Sequence, residues 1–284
     1  MRQLLEHPIF STVRDFIEKS SREINRSLSP ILIISKPSLN GALSLAPIEA
    51  ALIDSGIPYT RRFTNSEPNS TTFVRIFDDP NANFPLKSLT SSVSISPITV
   101  EGLRGRLGDP RKGQLSTVAQ AHALAQAISQ TSPRLRRIRP WILSGNWIYD
   151  ALDTTYDPVY TNLRDFLSSE GSIRVVPVTE VKSPEIRNYE WLDPVELEEI
   201  SYHWNSFDLG QREKSMDTLA KSALLRNKPS TARLEELLWH CVLGPEWNSD
   251  LASQISRASF LWADKSPIEA SSELVDSLIS KGTI

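Results

Sequence analysis

A short polar loop after an apolar run holds the residues of this chain that are most able to do chemistry. The run at 31–34 is followed by Ser-Lys-Pro-Ser-Leu-Asn-Gly at 35–41, and a loop at the end of a parallel strand commonly lines a binding crevice. Lys36 could hold a phosphate or fill the space of a cation, and an ordinary surface lysine is the alternative. Ser38 and Asn40 offer oxygen atoms without the negative charge of the carboxylates that hold divalent metals.

Three aspartates elsewhere in the chain could supply metal ligands. Asp78 and Asp79 end the segment 72–79, and Asp150 ends the segment 141–150. Chemistry with two metal ions needs several carboxylates, and usually histidine, to hold the ions a few ångströms apart. An acidic pair before a proline is also an ordinary turn opening, and a turn is the favoured interpretation of the first two aspartates.

The histidines do not complete a metal site. They are His7, His122, His203 and His240. None lies at a predicted strand end beside an acidic cluster, so a partly exposed or helix-packed histidine is the favoured interpretation of each. We therefore predict that the chain has no catalytic residue, no metal centre and no cofactor.

The elements around these residues alternate between strands and helices. Apolar runs and helical spacing predict a helix at 8–27, a strand at 31–34, a helix at 42–54 and a strand at 57–63. Such alternation is typical of an α/β fold with a mainly parallel sheet flanked by helices. In a sheet of this kind the loop 35–41 and the end of the segment 72–79 would lie at one edge.

This order of elements resembles the DHH phosphoesterases, the superfamily of the RecJ nucleases. The resemblance implies further strands at 72–79, 92–97 and 173–178 and helices at 115–129 and 161–171. In that family the first loop reads Ser-His-x-Asp-x-Asp-Gly, and its histidine and two aspartates bind divalent metal. Lys36, Ser38 and Asn40 stand at those three positions. The segment 92–97 corresponds to the strand that leads into the Asp-His-His signature, and it contains neither residue type. The resemblance therefore implies that the metal site is lost.

Two aspartates match family ligands in part. Asp78 corresponds to a metal-binding aspartate at a strand end, and Asp150 lies about one place from another. The resemblance leaves open a residual phosphoesterase, active on single-stranded nucleic acid or a small phosphorylated molecule, that uses manganese or magnesium held by Asp78, Asp79 and Asp150. A small-molecule binding protein built on a decayed phosphoesterase fold is a third alternative.

The favoured functional hypothesis is a catalytically silent RecJ-like protein. It would be similar to the subunit that joins GINS and the MCM ring in archaeal and eukaryotic replicative helicases. The resemblance implies a scaffold role in DNA replication or repair, with GINS and MCM-type helicase proteins as partners, and it leaves contact with single-stranded DNA open. Because fold-level analogy is a weaker basis than a site, the specific partners are expectations.

Charge is distributed unevenly along the chain. Residues 1–140 carry 18 Lys and Arg against 11 Asp and Glu, a net charge of +7, whereas residues 141–284 carry 13 against 23, a net charge of −10. The basic residues form two clusters, Arg104, Arg106, Arg111 and Lys112 in a glycine-containing loop and Arg134, Arg136, Arg137 and Arg139 before a proline. Such clusters can follow a nucleic-acid backbone or dock an acidic partner. A solvated loop and a helix C-terminus are the ordinary alternatives.

The second part of the chain departs from the enzyme family. We expect a degenerate DHH-like α/β domain at 1–182 and an acidic, mainly helical module at 183–284, with helices at 194–202, 219–225 and 231–241. In active family members a DHHA1 domain with a glycine-rich phosphate loop follows, and here it is reduced or absent. Trp204 and Trp247 have polar neighbours and are candidate interface residues. Packing in a small helical core is the alternative for both.

Composition suits a folded protein that remains in the cytoplasm. The chain has 284 residues, of which 39% are hydrophobic, enough to bury a substantial core. No stretch approaches eighteen consecutive apolar residues, and the first residues lack the apolar block of a secretory signal. We expect no association with a membrane.

Overall fold

A five-stranded sheet forms the centre of the first part of the chain. The computed structural model describes residues 1–66, 73–77, 88–89, 92–149, 151–226 and 229–284. The strands of the sheet are β1 (Ile31–Ser35), β2 (Tyr59–Phe63), β3 (Phe73–Ile76), β4 (Ser88–Leu89) and β5 (Ser92–Ile95). They lie in the order β2-β1-β3-β5-β4; neighbours among the first four are parallel, and β4 pairs antiparallel with β5. The predicted α/β class with a mainly parallel sheet is confirmed.

Helices cover this sheet and bury its apolar strands. Those of the first part are α1 (Arg14–Asn25), α2 (Leu39–Asp54), α3 (Thr117–Ile128), α4 (Pro133–Ile138), α5 (Ser144–Ile148), α6 (Ala151–Thr154) and α7 (Pro158–Ser169). Nearly all residues of α2 and α3 are buried, because α2 packs against the sheet and also against α3. A helix that is apolar on all sides belongs in the interior of an α/β fold. Single 3-10 turns lie at Leu4–Glu6, Pro8–Phe10, Arg139–Leu143, Val178–Glu180, Ile186–Tyr189 and Trp204–Ser206.

A separate antiparallel hairpin lies between the sheet and α3. It consists of β6 (Ile98–Arg104) and β7 (Pro110–Leu115), with a register shift between Glu101 and Leu103. The sequence predicted a loop for the first basic cluster, and that prediction is wrong. Glycines and polar residues hid the strand pattern because most of the hairpin faces solvent rather than a core.

The later part of the chain is mainly helical, as predicted. Its helices are α8 (Pro194–His203), α9 (Leu209–Arg226), α10 (Thr231–Leu238), α11 (Leu251–Asp264) and α12 (Pro267–Lys281), and its strands are β8 (Arg174–Val176) and β9 (Cys241–Leu243). The strand predicted at 173–178 does not join the main sheet, since β8 pairs antiparallel with β9. The helix predicted at 231–241 ends at Leu238 because Cys241, Val242 and Leu243 are all buried as a strand.

The hydrophobic contacts do not separate at residue 182. One cluster extends from Leu4 through the sheet and its helices, and it also includes Leu251 of α11 and Leu274 of α12. The other joins Val176 to Leu243 with residues of α8, α9 and α10. Because α12 packs against α2, the end of the chain completes the core of its beginning. The division into domains at 1–182 and 183–284 stays a prediction.

A helix that spans a bilayer needs about 20 consecutive, predominantly apolar residues. Within the ranges that the structure describes, no helix has the length and apolar character that a membrane span requires.

Candidate functional site

The loop between β1 and α2 is fixed by its own backbone and by a glycine. Ser38 has an extended backbone and accepts a hydrogen bond at its hydroxyl from the Gly41 N–H at 3.1 Å, which caps the first turn of α2. A methyl group at Gly41 would overlap the carbonyl oxygen of Lys36 and the hydroxyl of Ser35. The loop therefore requires glycine for close packing of its own chain.

Asn40 lies buried at the carboxyl edge of the parallel strands, within a hydrogen-bond network. Its side-chain amide donates to the Tyr149 hydroxyl at 3.0 Å and lies 3.5 Å from the Thr117 hydroxyl. Ser44, one turn further along α2, donates to the same Thr117 hydroxyl at 2.9 Å. Asn40, Ser44 and Thr117 are each at least 96% buried. This side chain therefore bonds to uncharged protein groups through its nitrogen.

The neighbouring strand end is closed by α3. The amide of Gln120 donates to the carbonyl oxygen of Ser96, just after β5, at 2.7 Å and to that of Leu115 at 3.0 Å. Ser116 caps α3 by accepting from the Ala119 N–H at 3.3 Å. The chain thus has, just after β5, a buried serine whose carbonyl oxygen is bound by an amide.

The described part of the site contains no cluster of metal ligands. No group of three or more His, Cys, Asp or Glu side chains is placed to hold a metal ion among the residues that the structure describes. Asp78, Asp79 and Asp150 lie outside the described residues. Lys36 is exposed on the loop, where both its anion-binding role and its role as a surface lysine stay open.

A buried arginine of α10 holds the segment that carries Tyr149. Arg233 donates to the carbonyl oxygens of Trp147 at 2.9 Å and Tyr149 at 3.5 Å, and it forms two hydrogen bonds with Asp153 at 2.8 and 3.0 Å. Its guanidinium also lies 4.5 Å from the centre of the Trp147 ring. Through Arg233, helix α10 thereby positions Tyr149, whose hydroxyl accepts the hydrogen bond from Asn40.

Sequence reasoning missed Thr117, Tyr149 and Arg233. The Ser-Thr pair at 116–117 is a typical helix start and could have drawn attention to Thr117. No local pattern identifies the other two, because their partners lie far away in the sequence.

The imidazole of His122 lies inside the core beside the site helix. It is 1% exposed on α3, and neither ring nitrogen has a hydrogen-bond partner among the described residues. Burial away from water, together with the positive charge of Arg139, lowers the pKa of His122 to about 3. The ring is thus neutral at physiological pH, in agreement with the predicted helix-packed histidine.

The first basic cluster lies on the β6–β7 hairpin. Arg104, Arg106, Arg111 and Lys112 are all exposed. Arg104 forms an ion pair with Glu101 at 2.6 Å. Leu107, at the tip between the two strands, has 94% of its surface exposed.

The second basic cluster is not one surface. Arg139 is 1% exposed and forms an ion pair with Glu170 at 2.5 Å, so its predicted role in binding an anionic partner is wrong. Arg134 pairs with Asp54. Arg137 donates to the carbonyl oxygen of Ser280 at the end of α12, at 2.6 Å. Arg136 is exposed. Arg134, Arg136 and Arg137 lie on the short helix α4 and Arg139 follows it, so the four side chains point to different surroundings.

The two candidate interface tryptophans are buried. Trp204 is 3% exposed and donates from its indole nitrogen to Glu180 at 3.1 Å, and Trp247 is 8% exposed. The expectation that they are exposed is wrong, because their polar neighbours face solvent while the rings join the two hydrophobic clusters. Trp239, with 43% of its surface exposed, is the more accessible ring.

Comparisons with known proteins give a likeness of fold. No protein-family model matches the chain, and no curated protein sequence matches it. The structure is similar to the crystal structure of CDC45 from Entamoeba histolytica, with a TM-score of 0.50 and 10% sequence identity, over 97% of this chain and 68% of that chain. At this identity the likeness concerns the fold. The chain therefore has a fold similar to that of CDC45.

Proposed function

We propose that this chain is a non-catalytic RecJ-like scaffold in DNA replication or repair that bridges replicative-helicase components of the GINS and MCM kinds. The observation that carries the proposal is the hydrogen-bond network of Asn40, Ser44, Thr117 and Tyr149 at the strand ends. It occupies the edge of the sheet where the resemblance implies metal ligands in an active enzyme.

The chemistry of this network argues against two-metal catalysis. Two divalent ions need several negative ligands in one small space. Here an amide nitrogen faces two hydroxyl groups, and Lys36 adds a positive charge to the same loop. None of the side chains of Lys36, Ser38 and Asn40 carries a negative charge that could balance a bound cation.

The scaffold role draws on the likeness to CDC45 and on the connection between the two parts of the chain. Arg164 of α7 and Glu236 of α10 form a buried ion pair, and Arg233 binds the segment before Asp153. Removing one partner from a buried ion pair is strongly destabilising, so such contacts hold the parts in one arrangement. A fixed arrangement of the helices around α7 and those around α10 suits a protein that joins two partners.

Two measurements on one sample test the lack of activity. Manganese binding is followed by calorimetry, and degradation of single-stranded DNA is followed with and without manganese. We expect neither heat of binding nor released nucleotides. Manganese-dependent release that is abolished by Asp78→Ala, and not by Asp217→Ala on the exposed face of α9, would establish the residual phosphoesterase instead.

A capture experiment tests the scaffold role separately. The tagged chain is mixed with purified GINS and MCM-type proteins, singly and together, and complexes are measured by size-exclusion chromatography. We expect a complex that contains both partners only when this chain is present. Failure to bind either partner, with no metal binding, would contradict the scaffold and favour a small-molecule binding protein.

A further inference from the structure

The β6–β7 hairpin has an exposed tip of distinctive composition. Arg106, Leu107, Arg111 and Lys112 lie at or beside the turn. We infer that this tip binds single-stranded nucleic acid, the cations through phosphates and Leu107 through the face of an unpaired base. The inference rests on the proposed function, which leaves contact with single-stranded DNA open, and it assigns that contact to one place.

The base of the hairpin is held firmly against α7. Gly102 and Gly113 have no side chains, and a methyl group at either position would press against Pro158. The amide of Asn162 donates to the carbonyl oxygen of Gly102, and that of Asn146 donates to the carbonyl oxygen of Gln114 at 2.7 Å. Because both strands are fixed at their base, the tip projects from the body of the protein in a defined direction.

The turn at the tip is also defined. The Gly105 N–H donates to the carbonyl oxygen of Asp109 at 2.8 Å, and the Gly108 N–H donates to that of Gly105 at 2.9 Å. Gly108 has a φ of +82°, a left-handed conformation that favours glycine. This geometry leaves Leu107 almost fully in water, at 94% exposure. A single exposed leucine needs no explanation by itself, but here it stands among cations.

The charge at the tip is only partly neutralised inside the protein. Arg104 is occupied by Glu101 at 2.6 Å. Within the described residues, no carboxylate lies within ion-pair distance of Arg106, Arg111 or Lys112. Three cations are therefore available to an external anion. Arginine guanidinium groups bind phosphate with two parallel hydrogen bonds and also stack on bases.

The mixture of cations and one aliphatic side chain favours a single strand over a duplex. Proteins that bind single strands combine positive charge along the backbone with side chains that cover the exposed faces of unpaired bases, most often aromatic rings. At this tip the aliphatic side chain of Leu107 would cover such a face. A narrow hairpin reaches such bases without having to open a duplex. An acidic protein surface would use the cations in a similar way, and the experiment below separates it by its probe.

The experiment measures how binding of a labelled thirty-nucleotide oligo(dT) depends on salt. The triple variant Arg106→Gln, Arg111→Gln, Lys112→Gln removes the three cations, and the matched control Lys19→Gln, Arg22→Gln, Arg26→Gln removes three exposed cations on or just after α1. Both lose the same net charge, so a general effect of charge would be equal. Leu107→Ser is measured beside them.

For the hairpin variant we expect the slope of log affinity against log salt to become shallower by about 2, since single strands contribute roughly 0.7 per cation. The control variant should keep the slope of the unmodified protein. Leu107→Ser should lower affinity without changing the slope, because the side chain contributes apolar area and no charge. A matching oligo(rU) shows whether RNA serves as well as DNA.

Three results would overturn the inference. They are equal slopes for the hairpin and control variants, no binding of oligo(dT) by the unmodified protein at low salt, and binding of polyglutamate in preference to oligo(dT). None of these results changes the expected capture of GINS and MCM-type proteins. The proposal for the hairpin can therefore be wrong while the proposed scaffold role is correct. Loss of partner capture together with the expected salt slopes would contradict the scaffold role and support the contact between the hairpin and nucleic acid.

Discussion

His122 gives the protein a pH dependence that can be worked out from its surroundings. The ring is fully buried on α3, which lowers the pKa of His122. The positive charge of Arg139 lowers it further. The folded chain holds the pKa of His122 at about 3, whereas the ordinary pKa of a histidine side chain is 6.5. As the pH falls, His122 of the unfolded chain therefore binds a proton near pH 6.5, whereas His122 of the folded chain stays neutral until about pH 3.

The sign and size follow from linkage. Above pH 6.5 both states are neutral at this residue, and its contribution to stability is present in full. As the pH falls from 6.5 towards 3, the unfolded state is increasingly favoured. At pH 5 the loss is about 2 kcal/mol, because each unit between the pH and the unfolded pKa is worth about 1.4 kcal/mol.

The variant His122→Leu isolates this effect from the titration of carboxylates. Leucine has a similar volume and no nitrogen atoms that need partners, so we expect stability at pH 7.5 equal to or above that of the unmodified protein. Free energies of unfolding are measured in urea at pH 7.5 and pH 5. The variant should gain about 2 kcal/mol relative to the unmodified protein between the two. An unchanged difference would refute the buried, neutral histidine.

Three further substitutions test the local arguments. Gly41→Ala should destabilise the chain by roughly 2–3 kcal/mol or prevent folding, because its methyl group meets the loop carbonyl, while Gly210→Ala near the start of α9 should be neutral or stabilising. Arg139→Ala should cost about 3–5 kcal/mol by leaving a buried carboxylate unpaired, while Arg136→Ala on the exposed side of the same region should stay within about 0.5 kcal/mol. Arg233→Lys should cost roughly 1–3 kcal/mol by losing bonds to buried carbonyl groups. Urea unfolding monitored by tryptophan fluorescence measures all of them.

Each pair has its own contrary result. Equal effects of the two glycine substitutions would mean that the loop tolerates a side chain. Equal effects at Arg139 and Arg136 would mean that the buried ion pair does not form. A lysine at position 233 with unchanged stability would show that the planar guanidinium is not needed to hold the segment with Tyr149.

Local sequence was sufficient where each element is decided by its own neighbours. The apolar run before Ser35 and the short polar loop that contains Gly41 predicted the strand, loop and helix that the structure contains. Regular apolar spacing also located α7 and α8 within a few residues. Helix α9 was predicted too short. Among its described side chains Met216, Leu219 and Ala223 are the buried ones, and the polar residues between them hide the helical period.

Long-range contacts decided the rest. Asn40 stood out in the sequence as a missing metal ligand, but its partners Thr117 and Tyr149 are 77 and 109 residues away. Arg139 is a cation in a basic cluster by sequence and half of a buried ion pair by structure.

The sequence by itself determined the α/β class, the strand, loop and helix at 31–54, and the absence of carboxylate and histidine side chains from the first loop, because these depend on residue types and short spacings. The tertiary structure decided which polar groups meet, which arginines are accessible and where the tryptophans lie. Those properties depend on segments that become neighbours only after folding, when burial forces each polar group to find a partner.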